Sequence, residues 1–269
     1  MGVVEAGRKR SSRRSWQKPR TTALLWATPL TLLFGLVLWE IVVRWTAIPT
    51  FLLPAPTAIW ERLAAAVADG SLLRHGLATL SEVLGGLTLG LASATIIGYV
   101  LAKSRTVERL LSPYIVASQS IPVVAIAPLL VIWFGPGRLS KVLISALIVF
   151  FPVLVNTMVG VRSVPEDLRD LMRSLRASRW QVFSKLEAPA AMPVLLGGLR
   201  IGATLSVIGA VVGEFVWADE GLGFLINLGR GLYDTALVFA VVFVLVAMAL
   251  AMYGLVTWME RKLLAWRKE

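Results

Sequence analysis

The chain has 269 residues, of which 57% are hydrophobic and only 16% are charged, and its mean hydropathy is +0.76. A soluble domain averages about 45–50% apolar and about 25% charged residues, so this composition excludes soluble enzymes and nucleic-acid-binding domains. The net charge is +11; the lack of cysteine and the single histidine exclude disulfides, thiolate sites and multi-histidine metal sites. The sequence therefore predicts an integral membrane protein.

Six apolar segments reach about 20 residues, the length that an α-helix needs to cross about 30 Å of hydrocarbon. In chain order they are residues 23–45, 77–102, 110–134, 142–160, 191–217 and 235–258. Internal prolines and glycines are tolerated in membrane helices, and Gly86 and Gly90 have the spacing of a close helix contact. We predict an all-α membrane domain of six transmembrane helices over residues 23–258, with a basic tail 1–22 and a second tail 259–269.

The distribution of lysine and arginine predicts the orientation. If both termini are cytoplasmic, the inside segments carry 20 basic residues and the outside segments carry six, with Lys141 among the six. The excess of basic residues marks the cytoplasmic side, so we expect a multi-pass protein with both ends in the cytoplasm.

The predicted outside segment between the first two spans contains Pro54 and Pro56, which break the chain. The residues that follow predict a short amphipathic helix, with Trp60 as an interfacial anchor. His75 comes at the end of this segment, and we expect it at the surface with no role.

The longest inside segment, residues 161–190, contains two helix-start patterns. Ser163 with Glu166 and Ser178 with Gln181 each form a predicted capping box. Leucines recur at helical spacing after the first box, and Pro189 is expected to end the second helix. The segment therefore predicts a helix–turn–helix at the membrane surface, which either rests on lipid or docks a cytoplasmic partner.

This segment resembles the "EAA" coupling loop of ATP-binding-cassette (ABC) importer permeases, whose pattern is E-A-A, three residues, G, nine residues, I-x-L-P. The matching residues are Asp170-Leu171-Met172, Arg176 and Leu186-x-Ala188-Pro189. Arg176 stands where the family has glycine. Either Arg176 strains a left-handed turn by roughly 1 kcal/mol, or it contacts an acidic groove on a partner, which we favour.

Further motifs extend the resemblance over most of the chain. They are Leu53-Pro54-x-Pro56, Ser120-Ile-Pro122, Ala127-Pro128, Trp133-Phe134-Gly135, Phe151-Pro152-x-x-x-Asn156 and Gly198-Leu-Arg200. These are similar to permeases of the sulfonate, nitrate, taurine and bicarbonate importer family. Within that family, residues 118–122 and 204–214 look most like members that transport pyrimidine vitamin precursors or riboflavin.

The resemblance implies a type I ABC importer permease fold with a cytoplasmic coupling helix, in the bacterial inner membrane. It implies two ATPase subunits, an extracytoplasmic substrate-binding protein and a second permease copy as partners, and ATP-driven alternating access. The implied ATPase-coupling residues are Asp170, Leu171, Met172, Leu175, Arg176, Ala177 and Pro189. The chain has no G-x-x-x-x-G-K-[ST] motif, so it is expected to bind no cofactor, and ATP with magnesium belongs to the partner ATPase.

Polar residues inside the predicted spans are candidates for lining the translocation pathway, because such groups are costly in lipid. The candidates are Gln119, Ser120, Asn156, Ser206 and Glu214. The alternative for these residues, and for Glu82 and Arg200, is bonding between neighbouring helices. An ATP-independent secondary transporter is the competing class; it usually shows inverted repeats, and we find no internal repeat in the sequence.

Overall fold

The computed structural model describes residues 21–46 and 48–265, and the regular structure of these residues is entirely helical. The helices are α1 (Thr21–Trp45), α2 (Pro56–Ala68), α3 (Ser71–Lys103), α4 (Arg105–Gln119), α5 (Val123–Phe134), α6 (Arg138–Arg162), α7 (Glu166–Ser174), α8 (Arg179–Val182), α9 (Ala188–Val216), α10 (Leu222–Gly231) and α11 (Thr235–Leu263). A π-helical turn, Phe183–Glu187, joins α8 to α9. The predicted tail 1–22 lies almost wholly outside the described residues.

The chain divides into two compact units, Met1–Ile48 and Pro49–Glu269. The first unit contains α1, which coincides with the first predicted span. On α1, the guanidinium of Arg44 donates a 2.6 Å hydrogen bond to Glu40, one helical turn away. The second unit contains the remaining helices and all of the candidate site residues.

The core of the second unit is α6, which packs between α3 and α9 at very close range. A Cβ atom on Gly90 of α3 would lie 2.7 Å from the carbonyl oxygen of Ala146, and one on Gly209 of α9 would lie 2.5 Å from the Cα of Ser145. Glycine is therefore required on both flanks of α6, because any side chain would collide with backbone. The close contact predicted at Gly86 and Gly90 is confirmed.

Within the part of the chain that the structure describes, four helices are long and apolar enough to cross a membrane, and a bent pair makes a fifth candidate. The prediction of one continuous span over residues 110–134 is wrong. The chain bends by 92° between α4 and α5. Pro122 causes the break, because proline disfavours helical backbone at the preceding residue, Ile121, and cannot donate a backbone hydrogen bond.

The boundary predicted at residues 190–191 is also wrong, because α8, the π turn and α9 form one 38-residue helix, Arg179–Val216. Pro189 lies in the first turn of α9 and ends no helix. The amide of Ala188 bonds the carbonyl of Phe183, five residues back. This π spacing lets the helix continue past a proline that cannot bond the carbonyl four residues before it. The second helix of the predicted hairpin is thus the extended start of α9.

The remaining helices surround this core. The short helix predicted after Pro56 is confirmed as α2, with Trp60 exposed. Helix α11 continues five residues past its predicted end to Leu263, and its Glu260 forms an ion pair with Arg200 of α9. The guanidinium of Arg200 also lies 5.3 Å from the ring centroid of Tyr253. This position favours the helix-bonding alternative for Arg200.

The tight contact between α6 and α9 predicts different effects of alanine at two glycines of α9. Gly209→Ala should destabilise the chain by about 1–3 kcal/mol, since the new Cβ meets the backbone of Ser145. Gly197→Ala is the matched control, because among the described residues no atom beyond its chain neighbours and its own helix backbone lies within 4 Å of the added Cβ. The measurement is the temperature at which the detergent-purified chain loses its monodisperse size-exclusion peak. Equal temperatures for the two variants would contradict this packing.

Candidate functional site

Helix α7 is the amphipathic helix of the segment that resembles a coupling loop. It begins at Glu166, and Leu168 and Leu171 are exposed on it, as is Leu175 directly after it. Met172 is half-buried. Exposed leucines on a helix with charged residues on its other face are typical of a surface that another protein covers.

The two predicted caps of this segment have different outcomes. Ser163 ends α6, and its hydroxyl donates to Gly160, so the first capping box is wrong. Pro165 occupies the N-cap position directly before α7, and it provides no side-chain hydrogen bond to this helix. The second box is confirmed. The amide of Gln181 donates to the Ser178 hydroxyl, and the Gln181 side chain accepts from the Ser178 amide at 2.8 Å.

The turn between α7 and α8 is left-handed at Arg176, where φ is +50°. The amide of Arg176 donates to the carbonyl of Arg173 at 2.9 Å, and the amide of Ala177 donates to the carbonyl of Met172 at 3.0 Å. These two bonds define a Schellman motif, in which the left-handed position is usually glycine. The strain expected from the sequence is therefore present, and the Arg176 side chain is exposed. Whether it contacts a partner stays a prediction.

Asp170, which corresponds to the acidic residue of the family pattern, is exposed on α7. Its carboxylate lies 2.8 Å from the guanidinium of Arg173, and its carbonyl accepts from the hydroxyl of Ser174. An exposed ion pair between residues three apart contributes at most about 0.5 kcal/mol. The fold of α7 therefore depends little on the Asp170 side chain, which remains available to a partner.

Glu187 fixes the segment to the bundle. Its side chain is only 1% exposed, and it lies 2.6 Å from Nζ of Lys103 and accepts a 2.9 Å bond from the hydroxyl of Tyr99, both on α3. Arg169 of α7 comes within 4.0 Å of it and donates to the carbonyl of Val161. We call Tyr99, Lys103, Arg169 and Glu187 the Glu187 cluster. It connects α7 and the start of α9 to the end of α3.

Three of the predicted pathway residues lie in two separate places. Gln119 ends α4 and Ser120 follows it, so both are at the bend before α5, and both are exposed. Asn156 lies in the middle of α6, where its amide donates to the carbonyl of Pro152 at 2.8 Å. A Cβ on Gly198 of α9 would lie 2.8 Å from the Cβ of Asn156, so this residue belongs to the α6–α9 contact.

The other two pathway candidates are buried between helices. Ser206 is fully buried in α9; its carbonyl accepts from Ser145, and its hydroxyl donates to Ala203. Glu214 is 1% exposed near the end of the same helix. Their burial favours the helix-bonding alternative for both residues, and pathway lining by any of the five candidates stays a prediction.

Glu214 holds the loop that connects α9 to α10. One oxygen accepts a 2.6 Å bond from the hydroxyl of Thr79 on α3, and the other accepts from the amide of Gly223. Thr79 in turn accepts from the amide of Leu222 at 2.7 Å. These amides are at the start of α10, where a helix favours negative charge. Gly221 has a φ of +123°, and any Cβ on it would overlap the Glu214 carboxylate. We call His75, Thr79, Glu82, Lys141 and Glu214 the Glu214 cluster.

A buried ion pair lies in this cluster. Nζ of Lys141 on α6 is 3.1 Å from Glu82 on α3, and both side chains are at least 97% buried. The assignment of Lys141 to an outside loop is therefore wrong, since α6 begins at Arg138, four residues before the predicted span. The charge pattern could have indicated this pair, because an acid within a span needs a cation from a neighbouring helix.

His75 also has a structural role that the sequence did not reveal. It is 9% exposed, and Nδ1 accepts a 3.0 Å bond from the amide of Gly221. Its ring stacks on Phe224 of α10 at 5.4 Å between centroids. The expectation of a surface histidine is therefore wrong. The bonding partner lies 146 residues away along the chain, so no local pattern reports it.

Comparison with known proteins identifies the relatives of this chain. Residues 86–265 match the family described as "Binding-protein-dependent transport system inner membrane component". The riboflavin transport system permease protein RibX of Chloroflexus aurantiacus is 47% identical over 253 residues, which cover 94% of each chain. The formylaminopyrimidine transport permease protein ThiX of Halalkalibacterium halodurans is 37% identical over 89% of this chain and 95% of its own. The taurine transport system permease protein TauC of Escherichia coli is 30% identical, and the alignment covers 100% of this chain and 99% of TauC.

A solved structure shares the fold. A chain of the MetNI methionine ABC transporter in an inward-facing conformation superposes with a TM-score of 0.66 at 18% identity. The match covers 73% of this chain and 97% of that one. At this identity the likeness concerns the fold alone, and it agrees with the fold class expected from the sequence.

The Glu214 cluster predicts that Thr79→Val loosens the loop before α10. Valine keeps the shape of threonine but leaves the Leu222 amide without its acceptor and one Glu214 oxygen without the hydroxyl that donates to it, at a cost of about 1–3 kcal/mol. The measurement is the rate at which a thiol introduced by Asp219→Cys is labelled, which should rise; the native chain has no cysteine.

The matched control is Thr88→Val on the same helix. Thr88 bonds only carbonyls of its own turn, those of Leu84 and Gly85, so the labelling rate should not change. An unchanged rate in Thr79→Val as well would show that the Glu214 cluster does not hold the loop.

The left-handed turn predicts that Arg176→Gly stabilises the isolated chain by up to about 1 kcal/mol, whereas Arg176→Ala does not. Both variants remove the charge, and only glycine removes the strain. Thermal unfolding of the purified chain measures the difference. If the exposed charge also contacts an acidic partner, both variants should weaken assembly with the ATPase, more strongly at low salt. Equal unfolding temperatures for glycine and alanine would contradict the strain.

Proposed function

Since the chain belongs to the family of binding-protein-dependent transport system inner membrane components and is a permease subunit of an ABC importer, we propose that it imports riboflavin or a pyrimidine vitamin precursor. The strongest support is its 47% identity to a riboflavin permease over 94% of both chains. The formylaminopyrimidine permease is next among the relatives described above, at 37%. Both of these relatives are named for heteroaromatic solutes.

A sulfonate such as taurine is the second candidate substrate. A taurine permease aligns with the whole chain, but at 30% identity. The lower identity makes a sulfonate the weaker candidate. A measurement of substrate uptake distinguishes the two candidate substrates.

ATP drives this transport, and the segment formed by α7 and α8 passes the motion of the ATPase to the bundle. The apolar side chains of Leu168, Leu171 and Leu175 are exposed in the single chain and present a surface that an ATPase subunit covers. The Glu187 cluster ties this surface to α3 and α9, so a displacement of α7 is passed directly to the bundle. Two copies of the chain form the pathway, and an external binding protein delivers the solute.

The proposed function predicts riboflavin uptake by vesicles that contain the chain, its co-expressed ATPase and its binding protein. Uptake should require ATP on the ATPase side and the binding protein on the other side. Taurine in place of riboflavin should give no uptake; the reverse preference would assign the chain to the sulfonate importers. Uptake by vesicles without the ATPase would identify a secondary transporter instead.

The same vesicles test the coupling segment through Asp170→Ala. We expect riboflavin-stimulated ATP hydrolysis to fall severalfold while the chain still inserts and unfolds at its normal temperature, because Asp170 contributes little to the fold of α7. Asp167→Ala is the matched control, since Asp167 is exposed in the first turn of the same helix but outside the coupling pattern. Normal hydrolysis in Asp170→Ala would remove this residue from the coupling surface.

A further inference from the structure

A cavity of about 1,220 Å³ lies between the end of α3, the α7–α8 segment and the start of α9. It is larger than the roughly 300–1,000 Å³ of an ordinary small-molecule pocket. Its walls include Thr95 and Lys103 of α3, eight residues and therefore about 12 Å apart along the helix. The cavity thus extends from the charged end of α3 well into its apolar part. We call it the loop cavity.

The charged end of the loop cavity is strongly basic. Four basic side chains line it, and they are Lys103, Arg169, Arg173 and Arg179. Glu187 is the one acidic residue among the lining residues, and Lys103 already neutralises it at 2.6 Å. Arg173 is paired with Asp170 at 2.8 Å, so Arg169 and Arg179 supply the excess positive charge. Nε of Arg169 is buried and has no hydrogen-bond partner among the described residues. This arrangement favours an anion.

The other end of the loop cavity is apolar. Ile96 and Val100 of α3 line it with exposed side chains, and Leu195 of α9 faces the same space. Trp180 and Phe183 also line the cavity, with ring centroids 5.4 Å apart. Tryptophan is enriched at the level of lipid headgroups.

We propose that the loop cavity binds an anionic phospholipid. Its phosphate would meet Arg169, Arg173 and Arg179, and the first part of an acyl chain would cover Ile96 and Val100. A soluble anion satisfies the basic end but leaves the apolar wall uncovered. Basic pockets between membrane helices on the cytoplasmic side are suited to acidic headgroups, and the charge count assigns this end of the chain to that side. The bound lipid would connect α7 to α3 beside the Glu187 cluster.

The test counts lipids retained by the detergent-purified full chain in native mass spectrometry. The probes are phosphatidylglycerol and, as the uncharged comparison, phosphatidylcholine. We expect retention of phosphatidylglycerol only, reduced by roughly an order of magnitude in Arg173→Gln/Arg179→Gln, because each basic group near a headgroup contributes to binding. Arg261→Gln is the control, a basic residue in the last turn of α11 outside the cavity, and it should retain lipid normally.

A second variant tests the apolar end without changing any charge. Val100→Trp fills the wall of the cavity and should lower phosphatidylglycerol retention, while glycerol phosphate added in excess should not displace the lipid. Displacement by glycerol phosphate would overturn the proposal in favour of a soluble-anion site. Unchanged retention in both variants would also overturn it. So would loss of ATPase assembly in Arg173→Gln/Arg179→Gln with unchanged retention, since the basic groups would then belong to the ATPase contact.

Discussion

The backbone contact of α6 with α3 and α9 is the constraint on which the rest of the second unit depends. Glycines on both flanking helices allow α6 to approach them to van der Waals distance, so the three helices behave as one body. In lipid there is little hydrophobic force between helices, and such close packing supplies the attraction instead. The close approach also brings polar residues of α6 within bonding distance of α3 and α9. Lys141 with Glu82 and Ser145 with Ser206 are examples.

Two buried carboxylates attach loops to this body, one near each end of α9. Glu187 holds the α7–α8 segment against α3, and Glu214 holds the loop before α10 against the same helix. They are 27 residues apart, so about 40 Å of helix separates them. Each carboxylate is satisfied by donors from other elements, as a buried charge must be. A single rigid helix therefore connects the candidate coupling surface to the loop at the other end of the bundle. The proposed ATP-driven transport requires a connection of this kind between the ATPase and the opposite side of the membrane.

The α7–α8 segment combines a strained turn with a continuous helix. Arg176 occupies the left-handed position of a Schellman motif, and the π turn carries the second helix past Pro189 into α9. A hairpin that rested on lipid would need neither feature. Here α8 is part of the 38-residue helix Arg179–Val216, so a force on the segment acts on α9 directly and not through a flexible linker.

The sequence by itself determined the membrane class, most of the spans and the amphipathic α7. These depend on composition, apolar length and local spacing, which short-range physics controls. The left-handed turn at Arg176 was one of two alternatives raised by the family resemblance, and the structure shows it. Only the structure showed the bend before α5, the fusion of α8 with α9 and the burial of His75 and Lys141. The bend and the fusion have local causes in Pro122 and the π turn, whereas the two burials depend on what a residue meets across the bundle. Pro189 ends a helix in isolation but is accommodated by a π turn, and Lys141 is a surface residue by sequence until α3 brings Glu82 within 3.1 Å. Local pattern identifies an element, whereas the partner of a buried polar group is set by packing between distant segments.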